Sequence, residues 1–261
     1  MMRIFEYIGD KTLKTFSSLR EFFTFVALCV LHMLKPKSYN PAMRMVLTKQ
    51  IYFTAVTLLP LFILLAFLFG SVIIGVIVSL SLEYGLQDKI GSIITIFTLD
   101  EFSPFFTALL VSLRSGTAVN TEIAVMNVNK ELNTLKVYKI NLIDYLFIPR
   151  IISGIISVTS LAILFSIIML SSGFMFTLFY MNIDLHTYTY LLLDAIEIKD
   201  IVIMLVKSIA FGFVTMLIPI YSGLKTNNSY TAIPISVLDG MVQLFIAIFF
   251  IEVLSLIIQL L

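Results

Sequence analysis

Two runs without a single Asp, Glu, Lys or Arg, residues 51–82 and 151–183, constrain this chain more than any other feature of it. A helix needs about 20 apolar residues to cross the hydrocarbon core of a bilayer. Each run exceeds that length and as one α-helix would reach about 50 Å, so it must tilt, kink or project beyond the membrane. Pro60 marks a kink in the first run, because its ring removes one backbone donor. Composition points the same way. The chain is 59% hydrophobic and 13% charged, with a mean hydropathy of +1.04. A soluble domain carries about 25% charged residues and has no means of hiding this much apolar surface. Three further apolar stretches, at about 91–116, 200–224 and 232–261, each enclose an ionisable residue. The expected fold class is all-α: a polytopic helical membrane protein with five transmembrane helices.

The basic residues orient it. Arg3, Lys11, Lys14, Arg20, Lys35, Lys37, Arg44 and Lys49 precede the first span. Arg114, Lys130, Lys136, Lys139 and Arg150 sit between the second and third spans, and Lys225 between the last two. The opposite side has Lys89 and Lys199 against Glu83, Asp88, Asp184, Asp194 and Glu197. The N-terminus is therefore expected in the cytoplasm and the C-terminus on the far side. Residues 1–40 add no crossing, since their uncharged part, 22–34, is too short. Phe5, Ile8, Thr12, Phe16, Leu19, Phe23, Val26 and Val30 recur at helical spacing with basic residues on the other faces. That pattern predicts an N-terminal interfacial amphipathic helix, with an ordinary packing helix as the alternative. The stretch from Lys35 to Pro41 then reads as a turn. Between the second and third spans, residues 117–135 are helix-compatible but too polar to cross. Val119, Ile123, Met126 and Leu132 form one apolar face there, with Glu122 and Glu131 projecting elsewhere.

Charges inside spans are costly and face a bundle interior or a wet cavity. Counted from the outer ends of their helices, Asp100, Glu101, Lys207 and Glu252 all fall roughly 12–15 Å deep. Two readings follow: a polar cluster lining a central cavity, with Lys207 paired to Glu101 or Glu252, or a static ion pair that holds helices together. Asp239 lies nearer the cytoplasmic end of the last span.

Several chemistries are excluded. No phosphate-binding G-x-x-x-x-G-K-[ST] loop, zinc-type H-E-x-x-H or nucleophile elbow is present. His32 and His186 are expected on opposite membrane faces, which disfavours a histidine-based catalytic or metal site. The single cysteine, Cys29, forms no intrachain disulfide. A net charge of +1 without a basic–aromatic patch argues against a nucleic-acid partner.

Glu101-Phe-Ser-Pro104, Ala108-Leu-Leu, Arg114-Ser-Gly116-Thr-Ala118, Thr121-Glu122-Ile, Met126, Glu131-Leu132 and Pro149-Arg150 resemble the MlaE (YrbE-like) family, the permeases of phospholipid ABC transporters. Asp100 stands where the family pattern has an arginine, and Asn141-Leu142 where it has Asp-Pro. The resemblance implies a transmembrane permease domain over 41–261 that moves phospholipid between the bacterial inner membrane and periplasmic carriers, maintaining outer-membrane lipid asymmetry. It implies a homodimer, a cytoplasmic ABC ATPase that carries the ATP and Mg, a periplasmic MCE-domain protein, and no cofactor or catalysis in this chain. Asp100, Glu101, Lys207 and Glu252 become substrate-cavity charges, and Glu122, Met126 and Glu131 fall in a helix that couples to the ATPase. An ion-coupled secondary transporter or channel is the alternative function. A membrane-embedded lipid enzyme is a third, weakened by the missing motifs.

Overall fold

Among the described residues every regular element is a helix. The computed structural model describes residues 2–35, 41–86, 89–181 and 185–260. The expected turn at 36–40, the acids Asp88 and Asp184, and the side chains of Phe5, Ile8, Thr12 and Phe16 lie outside what is described. In chain order the α-helices are α1 (Met2–Met33), α2 (Pro41–Thr54), α3 (Leu59–Phe69), α4 (Gly75–Glu83), α5 (Ile90–Thr95) and α6 (Ser103–Val111). They continue with α7 (Thr117–Val128), α8 (Glu131–Val137), α9 (Ile148–Met181), α10 (Leu185–Ala195), α11 (Ile198–Leu224) and α12 (Ile233–Leu260). Joined end to end, they make five stretches long and apolar enough to cross a membrane: Met43–Glu83, Ile90–Val128, Ile143–Met175, Ile198–Leu224 and Tyr230–Leu260.

The joints explain how such long stretches are accommodated. Pro60 lies in the first turn of α3, directly after a short 3₁₀ turn at Val56–Leu58. There its missing N–H is one that a helix start leaves unpaired anyway. Four more joints are π-wound: Gly70–Ile74, Ile96–Phe102, Ser112–Gly116 and Ile143–Phe147. Such a turn holds an extra residue and re-aims the side chains that follow it, and π turns occur frequently at functional sites.

The core is built around α9, which packs against α2, α3, α6 and α11. Fully buried Phe62 and Phe165 meet edge to face beside Phe102 and Phe106. Lipid tails are as apolar as these side chains, so close packing rather than water exclusion selects the arrangement. The α9–α11 crossing shows it. A methyl group on Gly212 would lie 2.6 Å from the Ile155 Cα and 2.7 Å from the Gly154 carbonyl oxygen. Only glycine permits so close an approach.

α12 is the most peripheral crossing. Only 17% of its apolar window is buried, against 50% for α11, and Val242, Ile246, Phe249, Phe250 and Val253 all face outward.

α1 docks by Phe22, Phe25 and Cys29. Phe22 and Phe25 pack on Tyr221, Phe25 also meets Phe147, and Cys29 is fully buried. Burial pushes the Cys29 thiol up to about 12, which keeps it protonated and unreactive. His32 Nδ1 lies 2.9 Å from Asp144 Oδ1. Within the stripe expected from the sequence, Leu19, Phe23 and Val30 face outward, while Val26 packs on the core. The helix is apolar nearly all round in this part, so spacing alone did not distinguish its docked face from its open one.

The 117–135 segment also differs from a single helix. It breaks after Val128, and Lys130 adopts a left-handed φ of 60° between α7 and α8. Such a backbone costs a non-glycine residue about 1–2 kcal/mol. Lys130→Gly is therefore expected to stabilise the fold by ~1 kcal/mol, read as a higher melting temperature of the detergent-solubilised protein; an unchanged or lower value would show that the lysine is not strained.

Candidate functional site

Lys207 is the centre of the buried charge. It lies in the first half of α11, 3% exposed, where a lone ammonium would be very costly. An ammonium has three N–H donors, and three acceptors surround this one. Nζ donates to Glu101 Oε2 at 2.6 Å, to the main-chain oxygen of Asp100 at 2.7 Å and to Glu252 Oε1 at 3.0 Å. The π-wound joint Ile96–Phe102 presents Glu101 and the Asp100 carbonyl, and α12 supplies Glu252. Gln259, about two turns further along α12, donates to the second oxygen of Glu101 at 3.1 Å.

The structure thus brings Glu101, Lys207 and Glu252 into direct contact. Asp100 takes part through its backbone: its carboxyl is buried, and Oδ1 has no hydrogen-bond partner among the described residues. Glu252 Oε2 is buried without a partner as well. One cation therefore faces two carboxylates, with a third close by. The cluster has acceptor capacity left over, and Lys207 has no donor left over. A new anion reaches Lys207 only by displacing a carboxylate, whereas a proton or a cationic group finds acceptors ready.

At the far end of the bundle, α7 is fastened to the α11–α12 hairpin. Asn127 Nδ2 donates to the carbonyls of Leu224 at 3.1 Å and Thr226 at 3.0 Å. Asn120 Nδ2 reaches the Ser236 carbonyl at 3.4 Å, and the Tyr230 hydroxyl donates to Asn129 Oδ1 at 2.5 Å. Val119, Ile123 and Leu132 are buried, as the apolar face expected over 117–135 requires, and Met126 is partly buried against the core. Glu122 and Glu131 are at the surface. Glu122 Oε1 also pairs at 2.6 Å with Arg150, a buried residue at the foot of α9 that donates in addition to the Leu146 carbonyl at 3.1 Å.

The sequence pattern assigns no role to Asn120, Asn127 or Gln259, and marks Arg150 only as one of the orienting basic residues and as half of a motif. The one signal available was a polar side chain at the edge of an apolar stretch, which many surface residues share.

The family model of the permease MlaE matches residues 47–258, which takes in α7, the cluster and the hairpin that joins them. The chain belongs to the MlaE permease family. A probable ABC transporter permease protein of Rickettsia typhi is 25% identical to this MlaE-family chain over 85% of each sequence. A probable ABC transporter permease protein of Synechocystis is 26% identical, covering 64% of this chain and 63% of its own. The chloroplastic protein trigalactosyldiacylglycerol 1 of Arabidopsis thaliana is 28% identical, covering 63% of this chain and 47% of its own.

Proposed function

We propose that this chain is the membrane-spanning permease subunit of an ABC transporter that moves phospholipid between the bacterial inner membrane and periplasmic carriers, maintaining outer-membrane lipid asymmetry. In this reading two copies form the permease. A cytoplasmic ATPase binds ATP and Mg, and an MCE-domain protein receives or delivers lipid outside. The N-terminus and α7 face the cytoplasm; the C-terminus faces the periplasm. Two relatives are named as probable ABC transporter permeases, and the Arabidopsis relative carries a glycerolipid in its name.

The observation that carries the reading is the attachment of α7. Force applied to this helix passes through Asn120 and Asn127 to the hairpin of α11 and α12. These are the helices that hold Lys207 and Glu252 against Glu101. Through Glu122 and Arg150 the same force reaches α9. A packed, hydrogen-bonded chain of this kind moves as a rigid body, so nucleotide-driven motion at the cytoplasmic face would open or close the charge cluster. Asp100, Glu101, Lys207 and Glu252 are its cavity charges, and Glu122, Met126 and Glu131 belong to its coupling region. Met126, partly buried against the core, would transmit motion rather than touch the ATPase.

Purification in mild detergent tests this directly: an ATPase and phospholipid should accompany the chain, and recovery of the chain with neither would refute the proposal. Glu131→Lys sharpens the test, since Glu131 is exposed and its only side-chain hydrogen bond among the described residues is to Asn129. The charge reversal is expected to weaken ATPase association about ten-fold, the low end of the coupling between close charge pairs at an interface. Unchanged co-purification would remove α8 from the coupling surface. Glu122→Lys is less clean, because it also sets a cation against Arg150.

The carboxylate surplus around Lys207 favours one second reading, an ion-coupled transporter whose acids carry protons. Transport that persists without any ATPase and collapses with the proton gradient would support it.

A further inference from the structure

Along one side of the α11–α12 seam, hollows follow one another from the cytoplasmic end to the charge cluster. The first, about 300 Å³, is lined by Ser222, Lys225, Asn227, Asp239 and Gln243. The next, about 460 Å³, is lined by Leu19, Phe22, Ile218, Ile246, Ala247 and Phe250. Tyr221 and Gln243 line both, so the two are contiguous. A third, about 300 Å³, lies further out and reaches Lys207 and Gln259. On α12 the lining residues Gln243, Ala247, Phe250, Leu254 and Ile258 recur in steps of three and four, which makes one continuous helical stripe.

We propose that the cytoplasmic half of this seam is a binding site for a zwitterionic glycerophospholipid of the inner leaflet, with its phosphate at Lys225, its amine at Asp239 and an acyl chain along Phe22, Ile246 and Phe250. The assignment deepens the permease reading and takes its orientation from it. The chemistry of the walls selects the ligand. The first hollow has a mixed lining whose polar half carries one charge of each sign; the second is largely apolar. That sequence matches a headgroup followed by a tail, and together the two hollows fall in the range of ligand sites, about 300–1,000 Å³. Lys225 and Asp239 together complement a phosphate joined to an amine, whereas a headgroup with further negative charge would meet the Asp239 carboxylate. Lys225 Nζ lies 3.5 Å from Glu21 Oε2 and 4.6 Å from the centre of the Tyr221 ring. Both partners of that ion pair are substantially exposed, which makes it a weak pair that a phosphate can join or replace. Asp239 stands about 9 Å along α12 from its first residue, at headgroup rather than mid-membrane depth. It is exposed and has no hydrogen bond or ion pair among the described residues.

The test uses the complete complex in lipid nanodiscs, with Ile246→p-benzoylphenylalanine as a photoreactive probe in the apolar hollow. Discs contain either phosphatidylethanolamine mixed with phosphatidylglycerol, or phosphatidylglycerol alone, and adducts are identified by mass. The expected result is enrichment of the ethanolamine lipid over its share of the disc. Asp239→Asn should reduce that enrichment about three-fold, the scale of one exposed charge contact, while Lys225→Gln should lower adducts of both lipids. Adducts that mirror bulk composition and ignore both substitutions would overturn the site, as would crosslinking to a second copy of this chain. If labelling ignores Asp239 while ATP-driven lipid transfer is intact, the site fails and the permease reading stands. If labelling depends on Asp239 but transfer is absent, the lipid site stands and the transport reading fails.

Discussion

Lys207→Met is expected to abolish lipid transfer and to destabilise the chain by about 3–5 kcal/mol, because it leaves carboxylates in a buried site without their cation. Methionine fills similar volume, so lost packing is a minor part of the effect. Nζ is bonded to Glu101, Glu252 and the Asp100 carbonyl, and Glu252 Oε2 has no hydrogen-bond donor among the described residues. Removing the ammonium strands all three acceptors at once. The triple variant Lys207→Met, Glu101→Gln, Glu252→Gln separates the two readings of the cluster. It removes the buried cation along with the two carboxylates bonded to it, and neutral replacement of such a bonded set is often tolerated. If the cluster acts on substrate, the triple variant regains stability in denaturation assays but stays inactive in vesicle-to-vesicle transfer and leaves cells sensitive to detergent. Recovery of both stability and transfer would show that the charges only hold helices together.

Gly212→Val should be comparably damaging to folding for a different reason. Any Cβ at this position meets the Ile155 Cα, the Gly154 carbonyl oxygen and the Ile155 nitrogen at 2.6–2.9 Å. All three belong to the backbone of α9 and cannot rotate away, so α9 and α11 must separate. Overpacking of this kind costs about 3 kcal/mol, and the displacement carries into α11, which holds Lys207. The expected readouts are a markedly lower melting temperature in detergent and a reduced yield of folded protein. Gly116→Ala is the control. Its added methyl would find its nearest neighbour, Leu244 Cδ2, at 3.4 Å, followed by atoms at 3.5 and 3.6 Å, and little change is expected. Equal losses at both positions would mean that the close α9–α11 approach is not what makes Gly212 necessary.

Much was legible along the chain axis. The uncharged runs at 51–82 and 151–183 required crossings, and the structure has five helical stretches of the needed length and hydropathy. Residue counting put Glu101, Lys207 and Glu252 at one depth, and they touch. The motif from Glu101 to Arg150 pointed to the family that the chain belongs to. Rotation about each helix was not legible. Asp100 had the same depth as Glu101, yet only its main-chain oxygen meets Lys207. Phe23 was as apolar as Phe22 and Phe25, yet only the latter pair sets its rings against Tyr221.

What the sequence determined by itself is axial: how many helices cross, and the level at which each rare charge sits, because hydropathy and a fixed rise of about 1.5 Å per residue translate directly into length and depth. What only the tertiary structure decided is azimuthal: which face of each helix turns inward, and so which acid reaches the lysine. In a membrane the core and the surrounding lipid are both apolar, so an inward face carries little hydrophobic contrast to read. π-wound joints such as Ile96–Phe102 then re-aim the residues that follow by an amount that no residue spacing records.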